Sequence, residues 1–334
     1  MKRIPWLAAA GLAGFAAGRL AEADRSRRLE APAAPLLSFT PQAAGAALLG
    51  AAVLRRHRAV AAATALSGMA LAGVVRPRTV ARPQPPAEGP ALRLLTANLL
   101  AGRASEEAVV ALARRQGTDV LCLQELTEPA VARLKQAGLA DLLPYEMTDV
   151  RGESTRGSGI YSRFPLAEGP LFDPTYAAQP RARLALPGGQ WSDLICIHTS
   201  PPNPPTRARV ARWREELAML PPPSGPAGPP LILAGDFNAT ADHVAFRRVL
   251  GLGHVDAAAA AGRGLVPTWG PWAGGGPGLL TIDHILVDPR CAVLAVGVYR
   301  LPGSDHRALS AQLRLPGAPG APGPVASGRD DNGR

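Results

Sequence analysis

The sequence is poor in cysteine, lysine and aromatic residues. Its three cysteines, Cys122, Cys196 and Cys291, are too few and too uneven in number for a disulfide framework. No CxxC pair or Cys/His run offers the spacing of a zinc site. Cys122 and Cys196 lie inside apolar runs and read as small core residues. Lysine occurs only at Lys2 and Lys135, so arginine supplies nearly all of the 36 basic residues. Aromatics make up 4% of a chain that is 47% hydrophobic, and alanine, glycine and proline provide much of the bulk. The globular part contains no internal repeat.

A net charge of +10 invites a polyanionic partner, so its location matters. Residues 1–89 carry 12 basic and 4 acidic residues, a net +8. Residues 90–315 carry 22 basic and 20 acidic, a net +2. The basic excess therefore belongs to the N-terminal region. A nearly neutral body disfavours a nucleic-acid polymer as substrate. No feature of the sequence marks a protein partner.

Residues 1–75 read as a membrane region of two to three transmembrane helices. The candidate spans are "IPWLAAAGLAGFAAG" (4–18), "LLSFTPQAAGAALLGAAVL" (36–54) and "AVAAATALSGMALAGVV" (59–75). The first and third are short against the roughly 20 residues a bilayer asks for. The first also resembles a signal peptide behind "MKR". "RRHR" (55–58) is a tight charged turn between the last two. Three spans with the N-terminus inside place the following domain outside the cytoplasmic membrane. The basic residues lean against this, with 5 at the N-terminus and "RRHR" against 7 in loop 19–30 and after the last span. Extracytoplasmic placement is still expected, because "RRHR" pins the last two spans as a hairpin.

"RPRTVARPQPPAEGP" (76–90) reads as a semi-rigid linker. Residues 316–334 form a low-complexity tail with no means of building a core. Between them, 91–315 alternates strand and helix patterns. Strands are expected at 91–100, 119–126, 157–165, 191–200, 231–235, 279–288 and 306–315. Helices are expected at 106–115, 128–138 and 205–220, and after residue 241. This pattern predicts one large α/β domain.

Polar residues cluster where these strands end. Asn98 closes the first, Gln124 and Glu125 the second, and His198 "LICIH". Asp236 and Asn238 follow "LILAG", Asp283 interrupts "LLTI", and Ser304, Asp305 and His306 open the last strand. Each alone is explained by a turn, a helix cap or a rim histidine. Together they describe a site on the open ends of a rigid sheet. Residues i and i+2 of an extended chain face the same way, so Asp236 and Asn238 are expected to point at one centre, with Phe237 turned into the core. Gly235 keeps the backbone slim where substrate would approach. Adjacent residues point apart, which makes Asp283 rather than Asp305 the expected partner of His306. By the same alternation His284 faces away from Asp283 and reads as structural. His57, His243 and His254 have no motif support.

The stretches "LLTANLLAG", "DVLCLQELTE", "GSGIYSRFPL", "ICIHTSPP", "LILAGDFNAT", "LLTIDHILV" and "GSDHRALSAQL" occur in that order. In this order they resemble the endonuclease/exonuclease/phosphatase superfamily of metal-dependent phosphohydrolases, across essentially all of 91–315. The resemblance implies a four-layered sandwich, two packed mixed β-sheets flanked by helices, here preceded by N-terminal transmembrane helices. It implies hydrolysis of phosphate esters with Mg²⁺ or Mn²⁺. The metal would be held by Glu125, Asn98 and Asp305, since such ions take oxygen ligands. Asp236 would orient or deprotonate water, Asn238 and His198 would hold the phosphoryl group, and His306 would work with Asp283. The chain is also similar to membrane-anchored bacterial members linked to the cell envelope and glycopeptide resistance. That likeness favours a polyprenyl phosphate or pyrophosphate as substrate, with a phospholipid diester second. A nuclease, or a membrane scaffold that keeps only the fold, are the competing readings.

Overall fold

Four apolar helices come first in the computed structural model of the protein, which describes residues 4–150, 154–168, 176–273 and 276–317. They are α1 (Ile4–Leu20), α2 (Glu30–Leu37), α3 (Thr40–Val53) and α4 (Arg58–Val75). Helices α1, α3 and α4 pack together around Phe15, Ala16, Ala43, Ala44 and Leu71. Their outer faces leave Ile4, Leu7, Leu49, Val53, Leu66 and Met69 exposed. Among the described residues, only Arg58–Arg78 is long and apolar enough to cross a membrane, with 21 residues or about 32 Å of helix. A second crossing would need α2 and α3 to act as one span, yet they meet at a 66° bend. Of the two to three spans expected from the sequence, one meets the length among the described residues, and a second does so only if the bent pair counts as one. Helix α2 instead lies on the following domain, where Ala31 and Ala34 join the core around Trp213 and Phe246.

The segment after α4 runs along the domain surface. Gly264 N donates to Arg78 O, Arg82 N to Ala260 O, and Gly89 N to Leu315 O. The domain then follows as β1 (Ala91–Asn98), α5 (Glu106–Arg115), β2 (Val120–Gln124), α6 (Glu128–Gln136), α7 (Leu139–Leu142) and β3 (Tyr145–Asp149). Next come β4 (Ser158–Ser162), β5 (Leu166–Glu168), β6 (Arg181–Leu186), β7 (Gln190–His198), α8 (Arg207–Ala218), β8 (Leu231–Asp236) and α9 (Val244–Gly251). The last elements are β9 (Val255–Asp256), α10 (Ala257–Ala260), β10 (Asp283–Val287), β11 (Ala292–Arg300) and β12 (Arg307–Arg314). The expected tail lies outside the described residues from 318 onward.

Two six-stranded mixed sheets form, in the orders β11-β12-β1-β2-β4-β3 and β5-β6-β7-β8-β10-β9. Only β1–β2 and β7–β8 pair in parallel among the central strands. Alternation explains the layers. Leu92, Leu94, Val120 and Cys122 face Leu194, Cys196, Ile232 and Ala234 between the sheets. The alternate residues Leu95, Ala97, Leu121 and Leu123 turn outward onto the side of α5 and α6. Ile195, Ile197 and Leu233 do the same toward α8 and α9. Strands covered on both faces read as unbroken apolar runs, which is how they appear in the sequence. The alternating "RARLAL" of β6 and the apolar β11 were not expected as strands; β6 and β11 have one face partly open.

Candidate active site

Register brings the strand-end residues together. His198 of β7 lies opposite Asp236 of β8, and Asp283 of β10 lies opposite Asp236 from the other side. Paired residues project from the same face, so the three side chains form one row. In the other sheet Asn98 lies opposite Gln124. The Asn98 amide joins the sheets, donating to Asp236 Oδ2 at 3.1 Å and to Glu125 Oε1 at 3.2 Å.

His306 completes the centre. Its Nδ1 is 2.9 and 3.1 Å from the two oxygens of Asp283, the partner expected from alternation. Its Nε2 is 3.7 Å from Asp236 Oδ2. Ser304 Oγ donates to Asn98 O at 2.8 Å and accepts from His306 N at 3.0 Å, so one hydroxyl ties two candidate residues.

Burial and mutual charge set the protonation of this group. Burial pushes the Asp236 carboxyl up to about 7; the negative Asp283 adds to this, and His306 with two hydrogen bonds opposes it. Burial alone would lower the His306 pKa, but the carboxylates of Asp283 and Asp236 outweigh it and raise it to about 10. His198 falls to about 4, through burial first and the positive His306 second. A neutral His198 with a buried, unpartnered Nδ1 sits beside a cationic His306.

Two candidate residues hold left-handed backbone, Glu125 at φ 51° and Asn238 at φ 47°. Such conformations are costly for non-glycine residues and concentrate at functional sites. At Asn238 this differs from the extended geometry expected. The strand ends at Asp236 and the chain turns, with Asn238 N donating to Asp236 Oδ1 at 2.8 Å. The Asn238 amide then reaches Thr199 O at 2.9 Å and Asp236 Oδ2 at 3.3 Å. The pair meets through a tight turn rather than strand alternation, while Phe237 is fully buried as expected. Gly235 also has another reason than substrate approach. With φ at 153°, a Cβ there would run into the carbonyl oxygen of Ile197 on β7.

The donors expected to hold a metal are all oxygens, as a hard dication prefers. Glu125 Oε2 accepts from Ala101 N at 2.7 Å and Asn98 Oδ1 from Leu100 N at 2.9 Å, which orients both groups. Asp305 Oδ2 accepts from Trp269 Nε1 at 3.0 Å, while its Oδ1 is buried without a hydrogen-bond partner. An orphaned buried carboxylate oxygen fits a cation. Asp236, Asp283 and His306 also offer ligand atoms within 4.8 Å of one another. An imidazole held positive by both carboxylates is a poor ligand, so this trio fits proton handling better. Ser304 and Trp269 support the site without having been singled out for it. The motif "SDH" contained the first; nothing in the sequence pointed to the second.

The sequence profile of the Endonuclease/Exonuclease/phosphatase family matches residues 95–306. The chain belongs to that family. As a member, it is a metal-dependent hydrolase acting on phosphate ester bonds. The endonuclease/exonuclease/phosphatase from Beutenbergia cavernae DSM 12333 superposes with a TM-score of 0.51 at 21% identity, over 69% of this chain and 73% of that one. D. rerio TDP2, humanized by 14 mutations, superposes with a TM-score of 0.51 at 20% identity, over 67% and 98%. These likenesses concern the fold. No curated protein matches the sequence.

Proposed function

We propose that the protein is a membrane-anchored, Mg²⁺-dependent phosphohydrolase whose substrate is a lipid-linked phosphate or pyrophosphate at the cell envelope. The observation that carries the chemistry is the Asp236 carboxyl. It is buried, poised near neutrality and lies 3.7 Å from His306 Nε2. A group with a pKa near working pH is suited to take a proton from water. In this reading Asp236 orients and deprotonates the attacking water, and Asn98 holds Asp236 in place. His306, fixed by Asp283, donates from Nε2 to a phosphoryl oxygen. His198 and Asn238 complete the phosphoryl cradle. Glu125, Asn98 and Asp305 would hold the divalent cation, which would neutralise phosphate charge and stabilise the leaving oxygen. EDTA should therefore remove activity, Mg²⁺ or Mn²⁺ should restore it, and Glu125→Gln should raise the metal concentration required. Full turnover in metal-free buffer contradicts the metal assignment.

The membrane reading rests on the helices. The end of α1, the start of α3 and the end of α4 all meet the domain, through Arg19, Gln42 and Arg78. The three helices thus run up, down and up, with "RRHR" at the far end. Apolar side chains cover their outer faces, as a lipid-facing bundle requires. In this reading Arg58–Arg78 is the helix long enough to cross, the shorter apolar helices pack beside it, and the domain is expected outside the cytoplasmic membrane. A tethered enzyme and a lipid-linked substrate share one plane, which raises their effective concentration. The test is full-length protein in liposomes that contain a prenyl pyrophosphate. Mg²⁺-dependent phosphate release is expected. Degradation of plasmid DNA without phosphate release would make it a nuclease.

A further inference from the structure

A second buried carboxylate lies on the loop that carries Asn238. Asp242 is fully buried and faces three guanidinium bonds from the N-terminal region. Arg78 grips it with both terminal nitrogens, Nη1 to Oδ2 and Nη2 to Oδ1, each at 2.9 Å. Arg19 Nε reaches Oδ1 at 3.1 Å. Both arginines are themselves largely buried, with side chains 11% and 7% exposed. Such a pair of cations, 164 and 223 residues away in the chain, is not a surface contact.

The loop between Asn238 and α9 is fixed from both ends. On the domain side His284 Nε2 is 2.9 Å from Ala239 O, and its Nδ1 is 2.9 Å from Asp256. On the helix side His243 Nε2 is 2.8 Å from Ala34 O and 3.0 Å from Ser38 Oγ. His243 Nδ1 accepts from Thr240 N at 2.9 Å, and Val244 N donates to Asp24 Oδ2 at 2.7 Å. Asp242 N in turn meets Thr240 Oγ1 at 3.3 Å. Asn238 needs this fixation, because its left-handed backbone persists only where the surroundings impose it.

We propose that Asp242 is a positioning residue for Asn238, and that Arg19 and Arg78 make the N-terminal helices part of the active site's support. The helices then do more than tether the domain. They supply the cations without which the Asn238 turn relaxes. This inference rests on Asn238 belonging to the reacting centre. Asn238 touches Asp236 directly, so a shift of the turn moves the group that handles the proton. Displacement of a catalytic group by about 1 Å costs on the order of a hundredfold in rate.

The experiment is a double-mutant cycle on the full chain in detergent, with bis-p-nitrophenyl phosphate and Mg²⁺. This soluble substrate removes any benefit of membrane tethering. The variants are Asp242→Asn, Asn238→Ala and the two combined. Asp242→Asn should lower kcat about tenfold or more, leave KM within about threefold, and add nothing further in the Asn238→Ala background. Arg78→Gln gives the same cycle from the helical side should Asp242→Asn fail to fold, and Arg78→Lys should restore part of the loss. A merely structural Asp242 would instead give losses that multiply, which overturns the proposal while leaving the site reading intact. Unchanged kcat in Asp242→Asn or Arg78→Gln overturns it as well. Full activity in Asn238→Ala alone would overturn both readings.

Discussion

Asp236 and Asp242 are two buried carboxylates on one stretch of chain, and they have opposite surroundings. Asp236 faces an amide from Asn98 and an imidazole at 3.7 Å, and its carboxyl is pushed up to about 7. Asp242 faces two guanidinium groups at 2.9 to 3.1 Å. The first is left under-compensated and able to exchange a proton. The second is held by two cations against its single charge and serves to hold position. Burial alone therefore does not make a carboxylate reactive; the partners decide.

The widest separation between the two should appear in rate. Asp236→Asn should cut kcat by on the order of 10²–10⁴, as should His306→Ala, while far-UV circular dichroism and the thermal midpoint stay near those of the parent. Activity within threefold of the parent in either variant would erase the distinction. On the other side of the comparison, Arg78→Ala should act on stability. It leaves Asp242 with one guanidinium, at a cost of about 3 kcal/mol, readable as a lower urea midpoint of the full chain in detergent. An unchanged midpoint would mean that water replaces Arg78.

Acid should loosen the Asp242 side first. Burial lowers the pKa of His243 and outweighs the hydrogen bond to Ala34 O and the charges of Asp24 and Asp242, which raise it, while Arg247 lowers it further. The folded protein keeps this ring neutral, with Nδ1 accepting from Thr240 N. A histidine released from its site titrates near 6.5, so the opened state binds more protons as pH falls below about 6.5. This stability is present above about 6.5 and is lost toward the depressed folded pKa. Amide exchange at Thr240 and Val244 should accelerate at pH 5.5 relative to 7.5, and equal protection at both would refute it. The smallest effect belongs to an exposed pair that neither centre uses. Lys135→Ala, which breaks a 2.7 Å bridge to Glu146, should change stability by less than about 1 kcal/mol in the same urea titration.

The Asp236 centre was largely legible from sequence, and the Asp242 clamp was not. Strand ends are local signals: Asn98, His198, Asp236 and Asp283 each close or open an apolar run, and register does the rest. The Asn238 geometry was misread because alternation holds only while the strand continues, and this one stops at Asp236. Asp242 and His243 carried no signal at all, since their partners stand hundreds of residues upstream. Arg19 and Arg78, counted as loop charges in the topology reading, both bind Asp242 inside the protein, which offsets one of their two charges.

The pairing across 164 and 223 residues also orders events during synthesis. Chains emerge from the ribosome N-terminus first. Both guanidinium groups are thus in place long before the carboxylate that needs them is made. The nascent domain meets a ready template when residue 242 emerges, and this buried carboxylate finds its partners already made. A chain translated from residue 85 onward would have to bury that carboxylate with no cation waiting.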